Sequence, residues 1–230
     1  YGQTEALGSY TIHAAADVDM ETVGVPLRDV DIKIINQDQN NVGEIIVKHG
    51  NMFSGYYNNE KATAETLHDG WLHSGDAGYF DKKGHVVIID RMQDMASTAR
   101  GDRFSPQFIE NKLKFSPYIA EAVILGAGRD YLSAMICIRI GILSKWAEKR
   151  RINFTTYADL SSKQPVRDLI RAEVEQVNAT LPDFQRVRKF LLLYKELDAD
   201  DGELTRTRKV RRGVINEKYA DIIEGIYRGE

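Results

Sequence analysis

The sequence predicts an α+β chain in two parts, and three observations carry that prediction. Short β-rich runs broken by turn residues fill residues 1–90. Beyond residue 90, strands alternate with helical patterns. Within that second part, Val166, Leu169, Ile170, Val174, Val177 and Leu181 fall at helical spacing and mark one long amphipathic helix.

The β-rich runs are VDIKII (30–35), GEIIVKH (43–49) and HVVIID (85–90). YFDKKGHVVI reads as a hairpin, with Gly84 supplying the positive-φ position of its turn. Runs this closely spaced predict an antiparallel sheet or a small distorted barrel. In the second part, Ser105-Pro106 reads as an N-cap followed by proline at the first helical position, opening the helix PQFIENKLK. EAVILGA and SAMICIRI read as strands joined by the turn GRDY, and LSKWAEKR as a helix. KFLLLY (189–194) is a further strand, and VRRGVINEKYADIIEGIY a single closing helix. The domains expected are therefore 1–90 and 91–230, joined at a short hinge over residues 91–93 that has no Gly/Ser tether.

Bulk properties narrow the function classes. A length of 230 residues holds one large or two modest domains, and 43% hydrophobic with 28% charged residues is ordinary for a globular protein. A net charge of -3 argues against a general nucleic-acid binder. Cys137 is the single cysteine, so no internal disulfide forms, and its apolar setting predicts a buried, reduced thiol. No apolar stretch approaches the roughly 20 residues of a membrane span. Nothing opens the chain like a secretory signal, and the expected location is cytoplasmic.

Four stretches could carry chemistry: YGQTE (1–5), GWLHSGD (70–76), IIDRMQDM (88–95) and LTRTRKVRR (204–212). Taken singly, each has an ordinary explanation. Thr4 and Glu5 could be solvated surface. Asp76, after Gly75, could shape a turn. Asp90-Arg91 could be a plain ion pair. The basic run could be a solvated face.

Their order and spacing change the reading. TVGVPLRDVDIKI (22–34), VGEIIVKHGNMFSGYYNNEKAT (42–63), GWLHSGDAGYFDKKGHVVIIDR (70–91), GDRFSPQFIE (101–110) and the terminal LTRTRKVRR together resemble the carboxyl-terminal half of the adenylate-forming, AMP-binding superfamily. That superfamily includes acyl-CoA synthetases, peptide-synthetase adenylation domains and luciferases. The resemblance runs essentially end to end. It implies that residues 1–90 are the β-rich end of a large amino-terminal domain and 91–230 a small mobile lid domain.

The resemblance also implies a reaction and its cast. A carboxylate attacks the α-phosphate of ATP to give an acyl-adenylate, and a thiol, usually that of coenzyme A, then displaces AMP. Tyr1 would stack on adenine with Gly2 beside it. Thr4 would bond the α-phosphate, and Glu5 would help to hold Mg²⁺, a cation that favours carboxylate and phosphate oxygens. Asp76 would accept the ribose hydroxyls, and Arg91 would add a contact from the hinge. Lys209 would stabilise the charge that gathers at the α-phosphate during adenylation. Gly101 would leave room for the pantetheine arm in the second half-reaction.

The departures from the family's pattern are also informative. Gln93 stands at the pivot where Asp or Lys is usual, Arg206 where proline is common, and Arg208 where many relatives have glycine. The loop without that glycine, and the insertion KRRINFTTYADLSS (149–162), are more like long-chain fatty acyl-CoA synthetases, which implies a fatty acid as the acid partner. The substrates expected are thus fatty acid, ATP and CoA, with peripheral membrane contact left open. YGQTE is an interior motif of the family, so the expectation is a carboxyl-terminal portion without the phosphate-binding loop, inert on its own. The alternatives are an adenylating enzyme for an aryl or amino acid, and a non-catalytic binding module of the same fold.

Overall fold

The computed structural model describes residues 1–6, 8–207 and 209–228. They form two compact units: residues 1–95 with 101–105, and residues 96–100 with 106–230.

The first unit is built on β-structure, as the alternating runs predict. Two short antiparallel ribbons open it, β1 (Gly2–Gln3) with β2 (Gly8–Ser9) and β3 (Thr11–Ile12) with β4 (Val25–Pro26). The main antiparallel sheet contains β5 (Asp31–Ile35), β6 (Gly43–Lys48), β7 (Leu67–His68), β8 (Trp71–Phe80) and β9 (Val86–Arg91). β6 lies between β5 and β8, and β7 and β9 pair with opposite ends of β8. One short helix, α1 (Glu60–Thr66), precedes β7, its first turn capped by the Asn59 side chain on the Ala62 N–H. The β8–β9 hairpin turns where the sequence places it, with Gly84 at φ 81° and the Asp81 carboxylate accepting the N–H groups of Lys83 and His85. Tyr10, Ile45, Val47, Leu72 and Val86 are buried together as the core of this unit.

The second unit is mixed. A short strand, β10 (Ala96–Ser97), belongs to it, while β11 (Arg103–Phe104) belongs to the first. Then come α2 (Pro106–Lys114), β12 (Ile119–Leu125), β13 (Leu132–Ile138), α3 (Ile140–Lys149), α4 (Tyr157–Ser162), α5 (Gln164–Asn178), β14 (Val187–Leu192), α6 (Arg212–Lys218) and α7 (Ala220–Arg228). β12 and β13 form an antiparallel hairpin, and β14 joins β13 in parallel after a crossover that contains α3, α4 and α5. Every residue of β13 is buried, as befits a strand covered on both faces. Val123, Leu125, Met135 and Cys137 pack with Ile215, Tyr219, Ile223 and Ile226 of the carboxyl-terminal helices. The apolar stripe of α5 is inward, with Val166, Ile170 and Val174 buried. Cys137 is buried as expected, which pushes its thiol up to about 12.

One element differs from its prediction. The closing helix is two helices that meet at Tyr219, whose backbone sits at φ -111° and ψ 19°. The Tyr219 ring turns into the core and its hydroxyl donates to the Glu203 carboxylate at 2.8 Å. Helical periodicity alone does not foresee that tie.

Candidate functional site

An open cleft of about 1090 Å³ lies in the first unit. Tyr1, Gly2, Thr4 and Glu5 line it together with Gln3, Ser74, Arg91 and Gln93. Stretches more than 60 residues apart in the chain therefore meet at one surface, a convergence that spacing alone cannot show.

Asp76 lies beside this lining and is only 7% exposed. It lies in the middle of strand β8 and not in a turn, directly opposite Arg91 in the β8–β9 ladder. Arg91 Nη1 reaches Asp76 Oδ1 at 3.0 Å, while Tyr1 Oη and, at 3.2 Å, Gln3 Nε2 donate to Oδ2. Burial, with Asp76 as acceptor, pushes the Tyr1 phenol well above its ordinary range, so Tyr1 stays a donor. A carboxylate offers about four lone-pair positions, so a further hydroxyl arriving here shares Asp76 with protein donors or displaces one. The Asp90-Arg91 neighbours do not form a plain ion pair with each other. Asp90 accepts the Arg91 backbone N–H at 2.8 Å and the Ser105 hydroxyl, which leaves the guanidinium to Asp76.

Gly2 is fixed by packing. A Cβ there would stand 2.1 Å from the Gly8 carbonyl oxygen across the β1–β2 ribbon. Glu5 is half-buried in the turn Thr4–Ala6, where its carboxylate accepts the Tyr56 hydroxyl at 2.8 Å and its carbonyl the Phe53 N–H at 2.7 Å. That bond raises the Tyr56 phenol above its ordinary range. Thr4 is exposed, with its hydroxyl on the cleft's lining. Gln93 is exposed in the single turn Met92–Asp94. Among the described residues no group of three or more His, Cys, Asp and Glu side chains could hold a metal.

Gly101 is exposed at φ 86°. The segment after it is tied to the 36–42 loop: Asp102 accepts from Gln39 and, at 2.8 Å, from Asn40, and the Arg103 N–H donates to Asp38 at 2.9 Å. Lys209 belongs to the second unit, on a tight hairpin closed by the Leu204–Val210 bridge. Thr205 grips it twice, its N–H donating to the Lys209 carbonyl at 2.8 Å and its hydroxyl accepting the Lys209 N–H at 2.9 Å. Lys209 itself is exposed, and Arg208 lies outside the described residues.

Both ends of this hairpin are anchored. Glu203 is 0% exposed and receives Lys195 at 3.0 Å, Lys218 at 2.7 Å, the Asp198 N–H and the Tyr219 hydroxyl. Burial alone would raise its carboxyl, but these donors outweigh that and bring it down to about 2. At the other end, Arg212 Nη2 reaches buried Glu110 at 2.7 Å and Nη1 donates to the Ile124 carbonyl at 3.1 Å. Arg212 is thus a structural tie and not the solvated cation that a basic run suggests. Gln3, Glu44, Tyr56, Ser74 and Glu203 have no motif of their own. Only their places inside or beside motifs that were already quoted could have drawn attention to them.

Comparison with known proteins yields two family matches. The model described as "AMP-binding enzyme C-terminal domain" matches residues 93–230, and the one described as "AMP-binding enzyme" matches residues 1–57. The long-chain-fatty-acid–CoA ligase FadD15 of Mycobacterium bovis is 34% identical over 231 residues, which cover 100% of this chain and 38% of that protein. The long-chain-fatty-acid–CoA ligase heimdall of Drosophila melanogaster is 28% identical over 267 residues, with 99% and 39% covered. Among solved structures, the adenylation domain of a carboxylate reductase from Mycobacterium chelonae aligns with a TM-score of 0.59 at 21% identity, over 92% of this chain and 34% of that one. O-succinylbenzoate coenzyme A synthetase from Bacillus subtilis, in complex with AMP, aligns with a TM-score of 0.56 at 22% identity, over 93% and 39%. The chain therefore spans under two-fifths of the length of the first of these ligases.

Proposed function

The chain belongs to the AMP-binding enzyme family, and on that premise we propose that it supplies the nucleotide cleft and the catalytic-lysine unit of an ATP-dependent acid–thiol ligase. The reaction proposed is activation of a fatty acid as acyl-AMP, followed by transfer to coenzyme A. The fatty-acid assignment draws support from the names of relatives such as FadD15 and heimdall, which cover the whole chain.

One observation carries the nucleotide reading. Asp76 and Arg91 face each other across the β8–β9 ladder, beside a cleft lined by Tyr1, Thr4 and Glu5. A carboxylate and a guanidinium so paired offer an acceptor for vicinal ribose hydroxyls next to a cation for phosphate. In this reading the Tyr1 ring and the Gly2 backbone border the adenine, and the Thr4 hydroxyl donates to the α-phosphate.

Magnesium fits as a companion of ATP. Mg²⁺ keeps several waters and needs only one or two protein carboxylates beside substrate phosphates. Glu5, oriented by Tyr56, would be that carboxylate. When bound, the ion neutralises phosphate charge. Lys209 would add its ammonium at the α-phosphate during adenylation, on a hairpin whose ends are fixed by Glu203 and Arg212. Gly101 would face the thiol in the second step.

Calorimetric titration of the chain with AMP tests the nucleotide reading. Binding that Asp76→Ala weakens by at least roughly tenfold is expected, since a charged acceptor is lost. AMP affinity that Asp76→Ala leaves intact would refute it.

A further inference from the structure

The least regular piece of the sheet lies next to the cleft. Between the paired positions Glu44–Ala77 and Ile46–His73, Ile45 alone faces three residues of β8, namely Ser74, Gly75 and Asp76. Such a bulge removes ladder partners from backbone groups, which then need other partners.

Two side chains provide them. The Asp76 N–H donates to Ser74 Oγ at 3.0 Å, and that hydroxyl donates onward to the Ile45 carbonyl at 2.6 Å. The Gly75 N–H donates to Glu44 Oε1 at 3.3 Å, while Glu44 Oε2 lies 3.3 Å from His73 Nδ1. The Ser74 carbonyl is held as well, by Gln3 Nε2 at 2.9 Å and Arg91 Nη1 at 3.2 Å. Gly75 sits at φ 70°, a backbone setting that residues with a Cβ adopt at a cost. The bulge adds two residues, so β8 keeps its side-chain phase, with Leu72, Ser74 and Asp76 all buried. The Ser74 and Glu44 bonds instead fix the backbone around Gly75, from which the Asp76 carboxylate reaches Tyr1, Gln3 and Arg91.

We propose that Ser74 and Glu44 are positioning residues for the nucleotide, fixing the β8 bulge that aims the Asp76 carboxylate at the ribose hydroxyls. The proposal rests on the ribose reading of Asp76 given above. It predicts that removing either group damages recognition of the sugar hydroxyls and leaves the other contacts of the nucleotide in place.

The test compares AMP with 2′,3′-dideoxy-AMP on the 230-residue chain, using calorimetry. The unaltered chain should prefer AMP, and Asp76→Asn should erase that preference. Ser74→Ala should reduce the preference roughly tenfold and Glu44→Ala by roughly threefold, because each leaves a backbone N–H without its partner. Ser74→Thr, which keeps the hydroxyl, should hold it within about twofold. Affinity for dideoxy-AMP should barely move in the Ser74 and Glu44 variants. Amide exchange should quicken at Gly75 in Glu44→Ala and at Asp76 in Ser74→Ala, with the rest of β8 unchanged.

The outcomes separate the two ideas. If Asp76→Asn erases the preference while Ser74→Ala and Glu44→Ala preserve it, the positioning role is overturned and the ribose reading stands. If Asp76→Asn leaves the preference intact, or the unaltered chain binds no AMP, the ribose reading falls and the positioning role with it. Equal weakening of both ligands in Ser74→Ala would mark a general loss of structure and would also overturn the proposal.

Discussion

Asp76 and Glu203 are both buried carboxylates that a reader of the sequence would place at the surface. DGEL looks like a solvated turn, yet Glu203 collects two lysines, a tyrosine hydroxyl and a backbone N–H. The signal was absent because its partners come from Lys195, Asp198, Lys218 and Tyr219, and Lys218 and Tyr219 lie on or beside a helix that follows the Lys209 hairpin. Its carboxyl stands at about 2 instead of the usual 4.5, so it contributes stability above pH 4.5 that is lost as pH falls towards 2. The contribution is on the order of 3 kcal/mol, from a group shielded from solvent. Glu203→Gln should therefore be less stable than the unaltered chain at pH 7 and lose less on acidification. Denaturant melts at pH 7 and pH 3 check this, and an equal acid loss in both proteins would count against it. Lys209 itself should tolerate replacement without loss of stability, since it is exposed; Lys209→Ala should melt within about 0.5 kcal/mol of the parent.

Strand β8 shows how a local rule becomes a site at the scale of the element. The hairpin turn was legible because Asp81 and Gly84 have turn chemistry of their own. The bulge was not, because its cause lies across the sheet in Glu44 and in the Ile45 carbonyl. Gly78 carries a second such constraint. A Cβ there would stand 2.4 Å from the Val87 carbonyl oxygen and 2.7 Å from Ile45 Cδ1. Backbone cannot give way as a flexible side chain can, so Gly78→Ala should cost roughly 1–3 kcal/mol and slacken the β8–β9 ladder that faces Asp76 with Arg91. Thermal unfolding measures the cost, and a change below about 0.5 kcal/mol would show that the ladder yields there. The carboxyl-terminal helix, expected as one piece, breaks at Tyr219 for the same kind of reason: periodicity reports which face is buried, not which hydroxyl is tied.

For the whole molecule, the fold class and most elements followed from periodicity and turn residues, while the roles of Thr4, Glu5, Arg91, Gly101 and Lys209 came only through family resemblance. Composition could not supply them, because catalytic and solvated cations look alike in a sequence. The structure adds the gathering of Tyr1, Thr4, Glu5 and Arg91 on one cleft, and the clamped hairpin under Lys209. In the proposed function, these parts serve two successive steps of one ligase reaction. A chimera in which this chain replaces the matching portion of FadD15 from Mycobacterium bovis, once active, allows each step to be measured separately. Adenylation is followed as pyrophosphate release from ATP and palmitate, and thioester formation from supplied palmitoyl-AMP and CoA. Lys209→Ala should slow adenylation by roughly 10²–10³ and leave thioester formation within a few-fold, as expected for loss of one preorganised charge; Gly101→Leu should do the reverse. Equal slowing of both steps by Lys209→Ala, or no slowing of either, would contradict the division of the two steps between Lys209 and Gly101.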